Sequence, residues 1–126
     1  MTTWANELKN FSGTENYYRI TPDTIITDGA KFVADKAGAY WLMTAIASYL
    51  PDFTNKETFI VANLKVTRTA TACTALLKLD DGNDNVLAEQ FIEYTDFELD
   101  AIKFYACYNG DMWVIMLPRE YWFLMI

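Results

Sequence analysis

Residues 24–50 read "TIITDGAKFVADKAGAYWLMTAIASYL" and pass from strand character to helix character within a few positions. Ile25 and Ile26 are β-branched neighbours that favour extended backbone. Thr27 or Asp28 then offers a side-chain oxygen to the first free N–H groups of a helix. From Ala30 the spacing is helical as far as Pro51, which lacks a backbone N–H and stops it. Lys31, Asp35 and Lys36 give the first half a charged side, whereas no charge remains from Gly38 to Leu50. The expectation is one long central helix whose second half is enclosed on most sides. Gly38 weakens that helix and is expected to mark a close approach of backbone to sheet.

Beyond the helix the period changes to two. Thr58, Ile60, Ala62, Leu64 and Val66 alternate with Phe59, Val61, Asn63 and Lys65, which describes a strand with one strongly apolar face. Cys73, Ala75, Leu77 and Leu79 repeat the pattern, and Asp80 to Asn85 supply a turn before a partner strand from Val86 to Tyr94. Ile102 to Tyr108 and Met112 to Leu117 flank Asn109-Gly110, a strong hairpin signal. Toward the N-terminus, Trp4 and Leu8 share a face of a short helix over Thr2 to Asn10, and Ser12 to Glu15 fits a capping box. Tyr17, Tyr18 and Ile20 look more like a strand ending at Thr21-Pro22. The fold class expected is α+β: an antiparallel sheet of about five strands, one long central helix on one face, and a short N-terminal helix. No repeat or linker divides the chain, so residues 1–126 are expected to form a single domain.

The chain carries a formal charge of −7, and its distribution is uneven. Residues 80–100 hold eight carboxylates and no lysine or arginine; outside them ten basic residues face nine acidic ones, a sum of +1. A basic patch for direct nucleic-acid binding is therefore not expected, and partners should be neutral or basic. Cys73 and Cys107 fall on different expected strands, and the N-terminus has no apolar leader, so reduced thiols in a cytoplasmic protein are expected. The uncharged run from Ala37 to Pro51 is shorter than the ~20 apolar residues that cross a bilayer, so no membrane partner is expected.

Little in the chain points to catalysis. It has no histidine, and Ser12 and Ser48, its only serines, lie outside any nucleophile motif. Glu89 and Glu93, four residues apart on a strand, stand about 13 Å from one another, beyond the roughly 5–9.5 Å of a glycosidase pair. Asp81, Asn83 and Asn85 match the first ligands of a calcium loop, but Val86 and Ile92 occupy the positions that need glycine and glutamate. No enzyme activity, cofactor or metal is expected. An enzyme using two carboxyls of raised pKa in a pocket is the remaining catalytic alternative.

Three stretches, "FSGTENYYRI" at 11–20, "TDGAKFVADKAGAYWLM" at 27–43 and "FIEYTDFELDAIKFYACYNG" at 91–110, resemble a family of small phage- and plasmid-borne proteins known only as a domain of unknown function. The resemblance covers most of the chain and implies a mobile-element origin. It supplies no catalytic residue. It implies an inhibitor of host defence, of the anti-CRISPR kind, working in the cytoplasm of the host bacterium.

Two surfaces are candidates. Asp80, Asp81, Asp84, Glu89, Glu93, Asp96, Glu98 and Asp100 can mimic a phosphate backbone toward a protein with a basic surface, such as a CRISPR effector or another nuclease. They can equally be solvated charges that protect loops and a sheet edge. Tyr121, Trp122, Phe123, Leu124 and Met125 form an uncharged C-terminal run, either core or a docking or homodimer contact. The alternative function is thus a cytosolic accessory module that self-associates or docks a host protein through that run.

Overall fold

The computed structural model describes the backbone of residues 4–125 and the side chains of residues 4–121. Its centre is one mixed sheet of seven strands: β1 (Tyr17–Thr21), β2 (Thr24–Thr27), β3 (Phe59–Arg68), β4 (Cys73–Asp80), β5 (Val86–Ile92), β6 (Ala101–Tyr108) and β7 (Trp113–Met116). In space they run β1-β2-β7-β6-β3-β4-β5. Every neighbouring pair is antiparallel except β2 and β7, which pair in parallel from Thr24–Trp113 to Ile26–Ile115. The expected sheet of about five antiparallel strands is therefore corrected. Tyr17 to Ile20, expected as a strand, and Ile25-Ile26, expected only as extended backbone, both lie in strands of the sheet. They form a hairpin that extends the sheet and adds its one parallel pair.

The expected long central helix is two helices, α1 (Asp28–Lys36) and α2 (Tyr40–Tyr49), followed by a 3-10 turn over Leu50–Phe53. Gly38 makes the break: its φ is +59°, a left-handed conformation that costs any residue with a Cβ. The Ala39 N–H folds back to the Ala34 carbonyl at 2.8 Å, the six-to-one bond of a Schellman end. A Cβ on Gly38 would meet nothing within 4 Å, so the expected close approach to the sheet is absent there. Glycine is required by its dihedral and not by space. Pro51 does not end the helical path either, because it sits in the first turn of the 3-10 segment, where its missing N–H is not needed.

The second half is also less enclosed than its lack of charge suggests. Leu42, Met43, Ile46 and Ala47 are buried, while Tyr40, Thr44 and Ser48, at four-residue spacing, are exposed. The Thr44 and Ser48 hydroxyls donate to carbonyls of their own helix at 2.7–3.2 Å, which makes an uncharged solvent face workable.

Helices α1 and α2 cover one face of the sheet. Ile60, Ala62, Leu64 and Val66 of β3, Leu77 and Leu79 of β4, Phe104 of β6 and Trp113 and Ile115 of β7 all point into it. Trp113 is fully buried, and its indole N–H reaches the Thr54 hydroxyl at 3.1 Å. The expected N-terminal helix is a 3-10 helix over Trp4–Asn10 that buries Trp4. The last helix, α3 (Pro118–Met125), packs on β6. The ring of Tyr121 lies 5.3 Å from Phe59 and 5.4 Å from Tyr105, on the face opposite the core.

Candidate functional site

The acidic stretch builds the free edge of the sheet and the two loops beside it, since β5 is the last strand on its side. Asp80, Asp81 and Asp84 stand in the β4–β5 turn, Glu89 lies within β5, and Glu93, Asp96, Glu98 and Asp100 follow it. The seven residues of β5 hold the two groups roughly 20 Å apart. The carboxylates are therefore strung along one rim and are not gathered into a cluster.

Within the rim the acids do different work. Asp81 is the frame of its turn: it accepts from the Asn85 side-chain amide at 2.8 Å, the Asn83 N–H at 2.8 Å and the Asn85 N–H at 3.2 Å. Those donors, the Asn85 amide foremost, hold its carboxyl below the usual aspartate value. The Asn85 amide N–H is thus spent on Asp81, and no group of three histidine, cysteine or acidic side chains that could hold a metal exists among the described residues. Asp80 accepts from the Gly82 N–H at 2.8 Å and from the Asn63 amide at 3.2 Å.

Beyond β5, Asp100 is ion-paired to Arg68, which also donates to the Phe97 carbonyl at 2.7 Å and the Leu99 carbonyl at 3.3 Å. Glu98 accepts the Trp4 indole N–H at 3.2 Å. Thr95 and Phe97 are buried and anchor this loop, the Thr95 N–H donating to the Cys73 carbonyl at 3.0 Å. Asp84, Glu89, Glu93 and Asp96 are exposed and make no ion pair among the described residues. Between them Val86, Phe91 and Tyr94 are 49%, 62% and 75% exposed. The rim presents free carboxylates interleaved with bare apolar and aromatic groups.

Of the C-terminal candidates, Tyr121 belongs to the ring trio with Phe59 and Tyr105. The side chains of Trp122, Phe123, Leu124 and Met125 lie outside the described residues. The two cysteines are free and half-buried at opposite ends of β3, where Cys73 faces Arg68 and Cys107 faces Phe59. Burial pushes the Cys107 thiol up to about 11, so it stays protonated at neutral pH.

Two constellations went unseen in the sequence. Glu120 is fully buried and accepts three hydrogen bonds: from the Thr27 hydroxyl at 2.6 Å, the Leu117 N–H at 2.8 Å and the Gly29 N–H at 3.0 Å. It satisfies the starts of α1 and α3 together. Burial raises its carboxyl above the usual glutamate value, against the pull of the three donors. The available signal was Pro118 followed by Glu120, the first and third positions of a helix, although no pattern in the chain points from there to Gly29.

The second constellation joins the N-terminal loop to α1. Asp28 donates its N–H to the Thr14 hydroxyl at 2.9 Å, and its carboxylate accepts from the Glu15 N–H at 2.9 Å, the Tyr18 hydroxyl at 3.0 Å and the Asn16 N–H at 3.3 Å. Residues 12–16 therefore form a bend tied to Asp28 in place of a capping box. Burial acts to raise the Asp28 carboxyl, but these donors outweigh it and hold it low. About two turns on, Asp35 takes Lys31 at 2.8 Å and the Tyr40 hydroxyl at 2.6 Å, and its carboxyl is held low in turn. Both carboxylates are ionised acceptors, a poor arrangement for a general acid.

A family model described as "Family of unknown function (DUF6876)" matches residues 2–121. The chain belongs to that family. No curated protein and no solved structure matches it. No helix among the described residues is long and apolar enough to cross a membrane.

Proposed function

We propose that the protein is a non-enzymatic binding protein whose acidic rim occupies the basic surface of a nucleic-acid-handling protein. The observation that carries this reading is the free edge strand β5 and the two residues after it, where Glu89 and Glu93 stand exposed beside Phe91 and Tyr94. An unpaired edge offers backbone donors and acceptors, the carboxylates supply long-range attraction, and the aromatic side chains supply area to bury. A fully solvated protective edge needs the charges but not the rings.

The resemblance to small phage- and plasmid-borne proteins extends the reading. A mobile-element protein with this rim blocks a host nuclease or surveillance complex, as anti-CRISPR proteins do, inside the host bacterium. The basic channel meant for nucleic acid is then filled by a protein edge of like charge. The direct test is to capture the tagged chain's partner from a host lysate at low salt and to measure the purified pair across ionic strength. Affinity that stays flat from low to high salt removes the reading. Self-association or docking through α3 is a second reading, supported by an uncharged C-terminal run that packs on the outer face of the sheet through Tyr121.

A further inference from the structure

The outer face of the sheet, opposite α1 and α2 and beside Tyr121 of α3, carries a second feature that adjoins the acidic rim. Strand register places Lys78 of β4 and Lys103 of β6 on either side of Asn63 of β3, in one row across the sheet. Lys65 lies two residues further along β3, on the same face. Neighbouring strands are about 4.8 Å apart, so the Cα atoms of Lys78 and Lys103 are about 10 Å apart. Elsewhere on the surface Lys31 and Arg68 are ion-paired; none of these three lysines has a carboxylate within ion-pair distance among the described residues. Glu89 faces Lys78 at the outer end of the row without pairing with it.

Three like charges gathered on one part of this face favour an anion between them, Glu89 opposite Lys78 offsetting only part of their field. They lie at one end of a groove of about 660 Å³, a size ordinary for a small-molecule site. Val61 forms the apolar floor between the lysines and the rings, Leu76 lies beside Lys65 at the cationic end, and Phe59 and Tyr105, 4.9 Å apart and also packed on Tyr121, flank the far end. Asp80 and Asp84 of the β4–β5 turn line that same far end. Asp80 already holds two donors, and a carboxylate accepts more than two. The groove therefore has cations at one end, aromatic surface toward the other, and hydrogen-bond acceptors beside the rings.

We propose that this groove binds a nucleoside monophosphate. The phosphate sits among Lys65, Lys78 and Lys103, the base lies against Phe59 and Tyr105, and Asp80 and Asp84 accept from a base amino group or ribose hydroxyls. Lysine suits the phosphate as a point charge, and the rings accept any flat heterocycle. The charge order of the groove matches this ligand class end to end. A long nucleic acid does not fit it, because the acidic rim adjoins the groove and repels a phosphate chain.

The test is calorimetric titration of the full chain with adenosine monophosphate, with adenosine and inorganic phosphate as separate arms, and amide chemical shifts followed by NMR. The expected result is saturable binding of the nucleotide at least about tenfold tighter than either fragment, with the largest shifts on β3, β4 and β6 around Asn63. Lys78→Gln with Lys103→Gln weakens the nucleotide by about tenfold or more. Tyr105→Leu weakens the nucleotide and leaves phosphate unchanged. Circular dichroism establishes that each variant is folded, and Lys103→Gln alone, at an exposed position, serves if the pair is not. No saturable binding at millimolar nucleotide, phosphate as tight as the nucleotide, or undiminished affinity in the lysine variants overturns the proposal.

Discussion

Gly29 and Glu120 are 91 residues apart in the chain and meet through a buried 3.0 Å hydrogen bond from the Gly29 N–H to Glu120 Oε2. A Cβ at Gly29 would stand 2.6 Å from Glu120 Oε1 and 2.7 Å from a Leu117 methyl, closer than carbon atoms approach. Gly29→Ala is accordingly expected to push α1 from α3 and cost about 1–3 kcal/mol, read as a lower urea midpoint.

Glu120 gives that contact a pH dependence. Its folded-state pKa is raised, so from the ordinary glutamate range up through the raised value the native state binds more protons than the unfolded state, and stability falls as pH rises. The low carboxyls of Asp28 and Asp35 act the other way: their stabilisation is present above the unfolded value near 3.8 and is lost as pH falls through the folded value. Comparing wild type with Glu120→Gln across pH isolates the first effect. The variant's curve should lack the falling component. At neutral pH Gln brings an amide where a donor already points, which costs about 1–3 kcal/mol.

At Gly38 the expected penalty is purely conformational. Gly38→Ala costs about 1 kcal/mol because φ is +59° and nothing crowds the site, whereas Gly38→Asn costs less since asparagine tolerates left-handed backbone. Paired denaturation curves of the two variants measure the difference. Equal losses would point to a steric cause.

The acids of the rim should separate into two groups by mutation. Glu89→Gln with Glu93→Lys, which avoids a second cation directly opposite Lys78, leaves the fold intact and removes salt-sensitive partner binding. Asp100→Lys sets two cations together at Arg68 and loosens the loop that carries Phe97. Thermal denaturation alongside a pull-down distinguishes them: the first pair changes binding alone, the second lowers the melting temperature.

Deleting residues 121–126 removes the Tyr121 ring from Phe59 and Tyr105. Loss of two aromatic contacts is expected to cost roughly 1–3 kcal/mol, visible as a lower melting temperature. A chain that ends after residue 121 keeps the Tyr121 ring and separates its share of the loss. Light scattering on the same two chains reports whether the C-terminal run also holds copies together.

The chain alone, through local periodicity and composition, determined which residues of β3 and β4 face the core, where the Asn109-Gly110 hairpin turns, and that histidine chemistry is absent. Alternation along a strand is a property of adjacent residues, so Ile60, Ala62, Leu64 and Val66 declare their face without knowledge of any partner. Only the tertiary structure decided that Thr24–Thr27 pairs in parallel with Trp113–Met116, that Gly38 turns left-handed and divides the central helix, and that residues 80–100 lie along a free edge. It also decided that Glu120 is buried under three donors, two of them more than 90 residues away. Strand order and the burial of a single carboxylate depend on contacts between distant segments, and the free energy of those contacts leaves no period in the sequence for a local reading to detect.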